Sequence, residues 1–309
     1  MTEIYVFRAS LETGFYVESV KGRAQRLSIP KQLPIEFGPF RLDRSPNSEF
    51  YLAHAGHLGI ESVDEPVPDE DYPISVLYVE TNIKVKDDED PEAAADEIFE
   101  ELEAILRLFQ VGNVSIRRNL LLGRDFGRGE LTWFIFERPI RSKPEPLYHR
   151  YPYLIDDTVL HNFRQYFSRY WKTVHRKPKR IYNALHRFSS SYEERASADR
   201  LLELVIALES LFGGKGDSTT YKLALRASCF LYPPGKDRQE VFEKIKRTYG
   251  DRSGLIHGDR LYPRYTDKEI DDIEDLLRKA INKFLEYDVN GTRLYSEADL
   301  DNLLFFRNQ

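Results

Sequence analysis

The stretch Tyr249-Gly250-Asp251-Arg252-Ser253-Gly254-Leu255-Ile256-His257-Gly258 holds the residues best suited to chemistry in this chain. Arginine is permanently cationic, and its planar fork matches the oxygens of a phosphate. Histidine gives and takes protons near neutrality. Arg252 and His257 together are a minimal kit for cutting RNA without a metal. One would hold charge developing on the phosphoryl oxygens, and the other would move the proton. A five-residue step along an ideal helix turns through roughly 140°, so the two side chains leave different faces. One copy of such a helix makes a poor site; two copies around a two-fold axis could complete a cleft. The competing account is structural. His257 would then sit as a cation at a helix C-terminus, where the dipole favours it, and Arg252 would pair with Asp251 or Glu243.

Other residues are weighed the same way. Glu209 lies in the most apolar segment of the chain, Leu201–Phe212. A carboxylate there is costly unless it is paired or near the surface. It either pairs with Arg252 and orients it or sits at an exposed edge. Arg169, Lys172 and Arg176 lie in a basic segment interleaved with aromatics, which suits contact with RNA phosphates. The aromatics fall on the core face of a helix, with His161, Gln165, Ser168, Arg169 and Lys172 on the other. The loop Gly213–Thr219 lacks the spacing of a phosphate-binding loop and follows a helix, so it reads as a connector ending in a Ser218 N-cap. His54 and His57 form a lone pair with no further ligand nearby. Neither a metal nor another cofactor is expected.

The elements that must position these residues follow from periodicity. The first 140 residues read as α+β. Strand-like runs lie at Ile4–Phe7, Gly14–Val20, Ile35–Leu42, Ile74–Val85, Val114–Leu122 and Leu131–Phe136, with a helix over Pro91–Gln110. The segment Asp43–Pro73 carries no clear pattern. Pro139, Pro144, Pro146 and Pro152 mark a boundary, giving an α+β domain over 1–145 and a helical one over 150–309. Helical stripes then run through Val159–Val174, Ile181–Phe188, Leu201–Phe212, Thr219–Tyr232, Asp237–His257, Asp267–Tyr287 and Ser296–Phe306, with Gly258 as a C-cap.

Composition sets limits on this reading. The 309 residues are 41% hydrophobic and 31% charged, with a net charge of −6. A uniform nucleic-acid binder would be basic. The charge is uneven, however. Asp87–Glu103 holds ten acids and no base, whereas Arg141–Arg187 holds eleven Lys/Arg and three acids. Only the second segment could contact nucleic acid. The run Asp87–Asp90 falls just before and inside the first turn of a helix, where its dipole favours negative charge; the alternative is an acidic face that binds a partner. No apolar run approaches the ~20 residues of a membrane span, and Met1–Tyr5 does not open a signal peptide. The single cysteine, Cys229, allows no internal disulfide. A cytoplasmic protein is expected.

Four segments in order now resemble one family: Asp199–Phe212, Tyr221–Ala227, Arg252–Gly258 and Leu276–Ala280. Together they are similar to the HEPN superfamily, specifically its ApeA-like domains, over roughly the C-terminal half. Leu106–Phe109 and the strand after it look like the region that often precedes such a domain. The resemblance implies an all-α bundle that dimerises and a metal-independent endoribonuclease, of the kind found in toxins and anti-phage defence effectors. Arg252 and His257 would be its catalytic pair, and the products would carry a 2′,3′-cyclic phosphate and a 5′-OH. Active members usually carry Asn, Asp or His after the arginine; here Ser253 stands there as a supporting hydrogen-bonding group. Some members are inactive interaction modules, and that is the alternative reading. RNA, a second copy of the chain and a protein bound by the N-terminal domain are the partners implied.

Overall fold

The computed structural model describes residues 3–12, 33–44, 77–85, 90–125, 131–135, 153, 155–194, 196–214, 219–256, 265–294 and 296–306. The chain divides into two compact units, Met1–Ser168 and Arg169–Gln309. Described residues of the first are α+β, and those of the second are helical.

The first unit is built on a six-stranded antiparallel sheet in the order β2-β3-β4-β1-β5-β6. Its strands are β1 (Glu3–Glu12), β2 (Ile35–Phe37), β3 (Phe40–Arg44), β4 (Leu77–Val85), β5 (Ser115–Asp125) and β6 (Leu131–Ile135). The central strand β1 pairs Glu3 with Val85 of β4 on one side. On the other it pairs Tyr5 with Arg124 of β5, and the register shifts between Arg8 and Ser10. In β4, Leu77, Tyr78 and Val79 are all buried, and from Thr81 to Lys84 buried Thr81 and Ile83 alternate with exposed Asn82 and Lys84, as in a sheet covered on one face there.

The run Ile35–Leu42, expected as one strand, is a hairpin. Gly38 and Pro39 form the turn between β2 and β3. Gly38 has φ +54°, and a Cβ there would lie 2.5 Å from a ring carbon of Phe167. The turn needs glycine both for its backbone and for that approach. The expected strand Gly14–Val20, together with His54 and His57, lies outside the described residues.

Helix α1 (Pro91–Phe109) packs on β4 and β5. Its apolar stripe is Phe99, Leu102, Ile105 and Leu106, as the 3.6-residue period requires. Its last turns are buried all round, including Glu103 and Arg107, which pair at 2.5 Å. Arg107 Nε donates to the Val114 carbonyl at 3.2 Å, and Glu103 accepts from the Ile116 amide at 3.0 Å. This buried pair ties the helix end to the start of β5. Phe163 and Phe167, in the first turns of α2 (Asp157–His175), are buried against Phe37 in edge-to-face contacts.

The second unit contains the rest of α2 and six further described helices. These are α3 (Lys179–Ser190), α4 (Ser197–Phe212), α5 (Thr219–Leu231), α6 (Lys236–Ile256), α7 (Asp267–Val289) and α8 (Glu297–Phe306). α4 packs against α3, α5, α6 and α7, so its Leu201, Leu204, Val205, Leu208, Leu211 and Phe212 are all buried. Phe212, Phe230 and Phe284 meet from α4, α5 and α7 with centroids 4.6–5.5 Å apart. The carbonyls ending α4 are capped by arginines. Arg180 donates to Leu211 O, and Arg226 to Phe212 O, at the helix end where cations are favoured. Arg226 also holds α8 through Asp301 at 2.7 and 2.9 Å and Glu297 at 3.2 Å. Thr266 and Glu269 form a reciprocal capping box at the start of α7, a standard N-terminal stop for the chain.

Candidate active site on the motif helix

Arg252 lies in the last described turn but one of α6, and its charge meets Glu209 in the last turn of α4. Arg252 Nη1 is 3.0 Å from Glu209 Oε2. The other carboxylate oxygen, Oε1, accepts a hydrogen bond from the Tyr249 hydroxyl at 3.0 Å. Tyr249 precedes Arg252 by three residues, one helical turn, so the two side chains neighbour each other on α6. The guanidinium carbon is 5.7 Å from the Tyr249 ring centroid, within cation–π range. The cluster stands at the surface, with the Arg252 side chain 25% exposed and that of Glu209 35%. Arg252 Nε is nonetheless buried and meets no acceptor among the described residues.

Burial pushes the Tyr249 phenol above its ordinary range. The negative charge of Glu209 adds to that push, and Arg252 opposes it. The hydroxyl therefore stays protonated and donates to Glu209 throughout the neutral range.

The expected pairings of Arg252 with Asp251 or Glu243 do not form. Asp251 accepts from the Tyr265 hydroxyl at 3.0 Å, and Glu243 pairs with Lys246. The two readings of Glu209 merge, since it both pairs with Arg252 and stands part-exposed at the edge of α4. Tyr265 sits just before α7, under Arg247, whose guanidinium carbon is 4.8 Å from its ring centroid. Arg247 in turn pairs with Glu269 at 2.8 Å. These contacts bind the start of α7 back onto α6 beside the motif.

His257 and Gly258 lie outside the described residues, and α6 is described to Ile256, the residue before them. Ser253 is in α6, but its side chain, like Ser218 in the connector after α4, lies outside them too.

Of the proposed RNA contacts, Arg169 and Lys172 are on α2 and Arg176 follows its last residue, and all three are exposed. The first and last are engaged by carboxylates at the end of α7. Arg169 Nε donates to Glu286 Oε2 at 3.0 Å, and its Nη2 also meets that carboxylate. Tyr170 joins them at 2.7 Å. Arg176 pairs with Asp288, which also accepts from Thr173 at 3.0 Å. Acids at a helix C-terminus oppose the dipole, and these arginines offset that. Tyr170's hydrogen bond is the largest effect on Glu286; burial, next in size, opposes it, and the hydrogen bonds of Arg169 and Asn290 help to hold the carboxyl below its usual range. Lys172 has no ion pair among the described residues.

Sequence reasoning missed Tyr249, because an aromatic at helical spacing reads as core. The signal available was its i, i+3 relation to Arg252. Elsewhere, the first unit encloses an apolar cavity of about 20 Å³ between β4, α1 and α2, lined by Leu102, Leu106, Tyr153, Leu160 and Phe163 among others. It has room for about one water molecule and none for a substrate. Among the described residues no group of three or more His, Cys, Asp and Glu is gathered as a metal site, and no helix is long and apolar enough to cross a membrane. No family model, no curated protein and no solved structure matches this chain.

Proposed function

We propose that this chain is a metal-independent endoribonuclease of HEPN type, acting through Arg252 and His257. One observation carries the reading: an arginine five residues before a histidine, held at the surface by a carboxylate from a second helix. In the reaction, His257 takes the proton from the ribose 2′-OH or returns one to the leaving oxygen. Arg252 stabilises the charge that grows on the phosphoryl oxygens. The 2′-oxygen attacks phosphorus as the 5′-oxygen leaves, giving a 2′,3′-cyclic phosphate and a 5′-OH. The angular offset of the two residues calls for a second copy of the chain. Of Arg169, Lys172 and Arg176, Lys172 is the one left to meet RNA phosphate, since carboxylates engage the other two. The N-terminal unit would recruit a partner or sense a trigger, in a defence or toxin effector of the cytoplasm.

A second reading has its own support. Glu209 neutralises Arg252 in the free protein and Ser253 departs from the family pattern, both of which suit a non-catalytic HEPN interaction module. Incubating purified protein with labelled RNA in EDTA, beside His257→Ala, separates the two. Cleavage by the parent alone supports the nuclease. RNA left intact by both proteins supports the interaction module.

A further inference from the structure

Glu209 and Arg252 would gain most from a two-armed fork, the strongest geometry for a guanidinium and a carboxylate. A fork would also spend on Glu209 the donors a phosphate needs. The observed arrangement differs. Tyr249 holds Oε1 at 3.0 Å, and Arg252 approaches Oε2 through Nη1 at 3.0 Å. The terminal torsion of a glutamate is soft, so little besides this hydroxyl fixes the carboxylate plane. Glu209 itself is held firmly, on a helix whose Leu208, Leu211 and Phe212 are buried. Its own carbonyl accepts from the Gly213 amide at 2.8 Å. Arg252 Nε has no acceptor among the described residues.

We infer that Tyr249 is a positioning residue for the proposed RNA cleavage: by holding one oxygen of Glu209, it keeps that carboxylate from closing a fork on Arg252. The guanidinium is then oriented by Glu209 and by the tyrosine ring, and it keeps an edge for a phosphoryl oxygen. This inference rests on the nuclease reading for its consequence but not for its geometry.

Tyr249→Phe removes the hydroxyl and keeps the ring. Cleavage by this variant should fall roughly 10- to 100-fold in kcat, the scale of a misplaced catalytic group, with KM changed less than about twofold. Tyr249→Phe/Glu209→Gln should recover most of the rate, because an amide makes no charged fork. A second readout is independent of cleavage. In protein with ¹⁵N-labelled arginine, the Arg252 Nη resonances, assigned through Arg252→Lys, should be averaged by rotation in the parent. They should split in Tyr249→Phe as the fork slows that rotation. Unchanged kcat and unsplit resonances in folded Tyr249→Phe would overturn the inference. Should Tyr249→Phe not fold, the parent carries the test: averaged Arg252 resonances support the inference, and split ones, which would show a fork closed despite Tyr249, overturn it. A parent that cleaves no RNA would sink the nuclease reading alone, and the resonances would still decide the role of Tyr249.

Discussion

The helical unit builds two clusters from the same three residue types, arginine, glutamate and tyrosine. In the first, Glu274 of α7 is buried between Arg200 and Arg278, and Tyr192 donates to it at 2.6 Å. Arg278 also donates to the Tyr192 oxygen at 2.6 Å, and Asp271 and Asp275 take further arginine donors. In the second, Glu209 meets one arginine and one tyrosine at the surface. The first carboxylate is surrounded by donors and shut away from water. The second holds a single cation that keeps donors to spare. Saturation in a dry interior is how a fold fixes helices to each other. An underused arginine at the surface is how a protein meets an anion. Arg200 Nε in the first cluster is as unpartnered among the described residues as Arg252 Nε in the second, so burial and the number of donors on the carboxylate separate the structural cluster from the candidate site.

The comparison breaks most readily at Glu274. Removing one partner of a buried ion network typically costs about 3–5 kcal/mol, so Glu274→Ala should lower denaturant stability by that order. Cleavage per folded molecule should not change. A loss below about 1 kcal/mol would show that the network is not what joins α7 to α3 and α4.

Arg252→Ala should do the reverse. Losing a preorganised charge donor costs about 10²–10³ in rate, whereas a part-exposed ion pair contributes about 1 kcal/mol or less to stability. Melting temperature and cleavage measured on the same preparation distinguish the two. A large drop in melting temperature with unaltered cleavage per folded molecule would place Arg252 beside Glu274 as structural.

Acid titration sharpens the contrast. Burial acts to raise the Glu274 pKa, but the charges of Arg278 and Arg200 overcome it and hold the group below the usual glutamate range. A depressed carboxylate contributes stability that is fully present above its unfolded pKa, about 4.3. That stability is lost as pH falls through the lower folded value. Melting temperature should therefore fall with acid below about pH 4.3, and Glu274→Gln should flatten that limb. An unchanged acid limb in the variant would remove Glu274 from the account.

The smallest expected effect is at Gly250, on the motif helix. A Cβ there would meet nothing within 4 Å, and glycine inside a helix costs about 1 kcal/mol relative to alanine. Gly250→Ala should stabilise the protein by up to about that much. If it also weakens RNA cleavage, the bare backbone at Gly250 serves a contact with another molecule.

Much of this was legible in the sequence, and what was not has a physical reason. The 3.6-residue periods marked the helices of the second unit, because each buries one stripe against its neighbours. Glu209 stood out as a carboxylate near the end of an apolar segment that also holds Glu203, and its partner is the arginine named with it. The β2–β3 hairpin was hidden because its turn is only Gly38 and Pro39, too short to interrupt an apolar run. Arg169 and Arg176 looked available to phosphate because Glu286 and Asp288 lie more than a hundred residues away in sequence. No local pattern reveals a pairing made at that distance.

The central claim, that Arg252 works on RNA and does not merely pair with Glu209, is tested most directly by Arg252→Lys. Lysine keeps the charge and the ion pair but lacks the planar fork. Parent and variant are incubated with end-labelled RNA in EDTA, and the product ends are identified. The account predicts 2′,3′-cyclic phosphate ends from the parent and at least about a hundredfold less product from Arg252→Lys, with melting temperatures within a few degrees. Equal cleavage by the two proteins, or none by the parent, would contradict it.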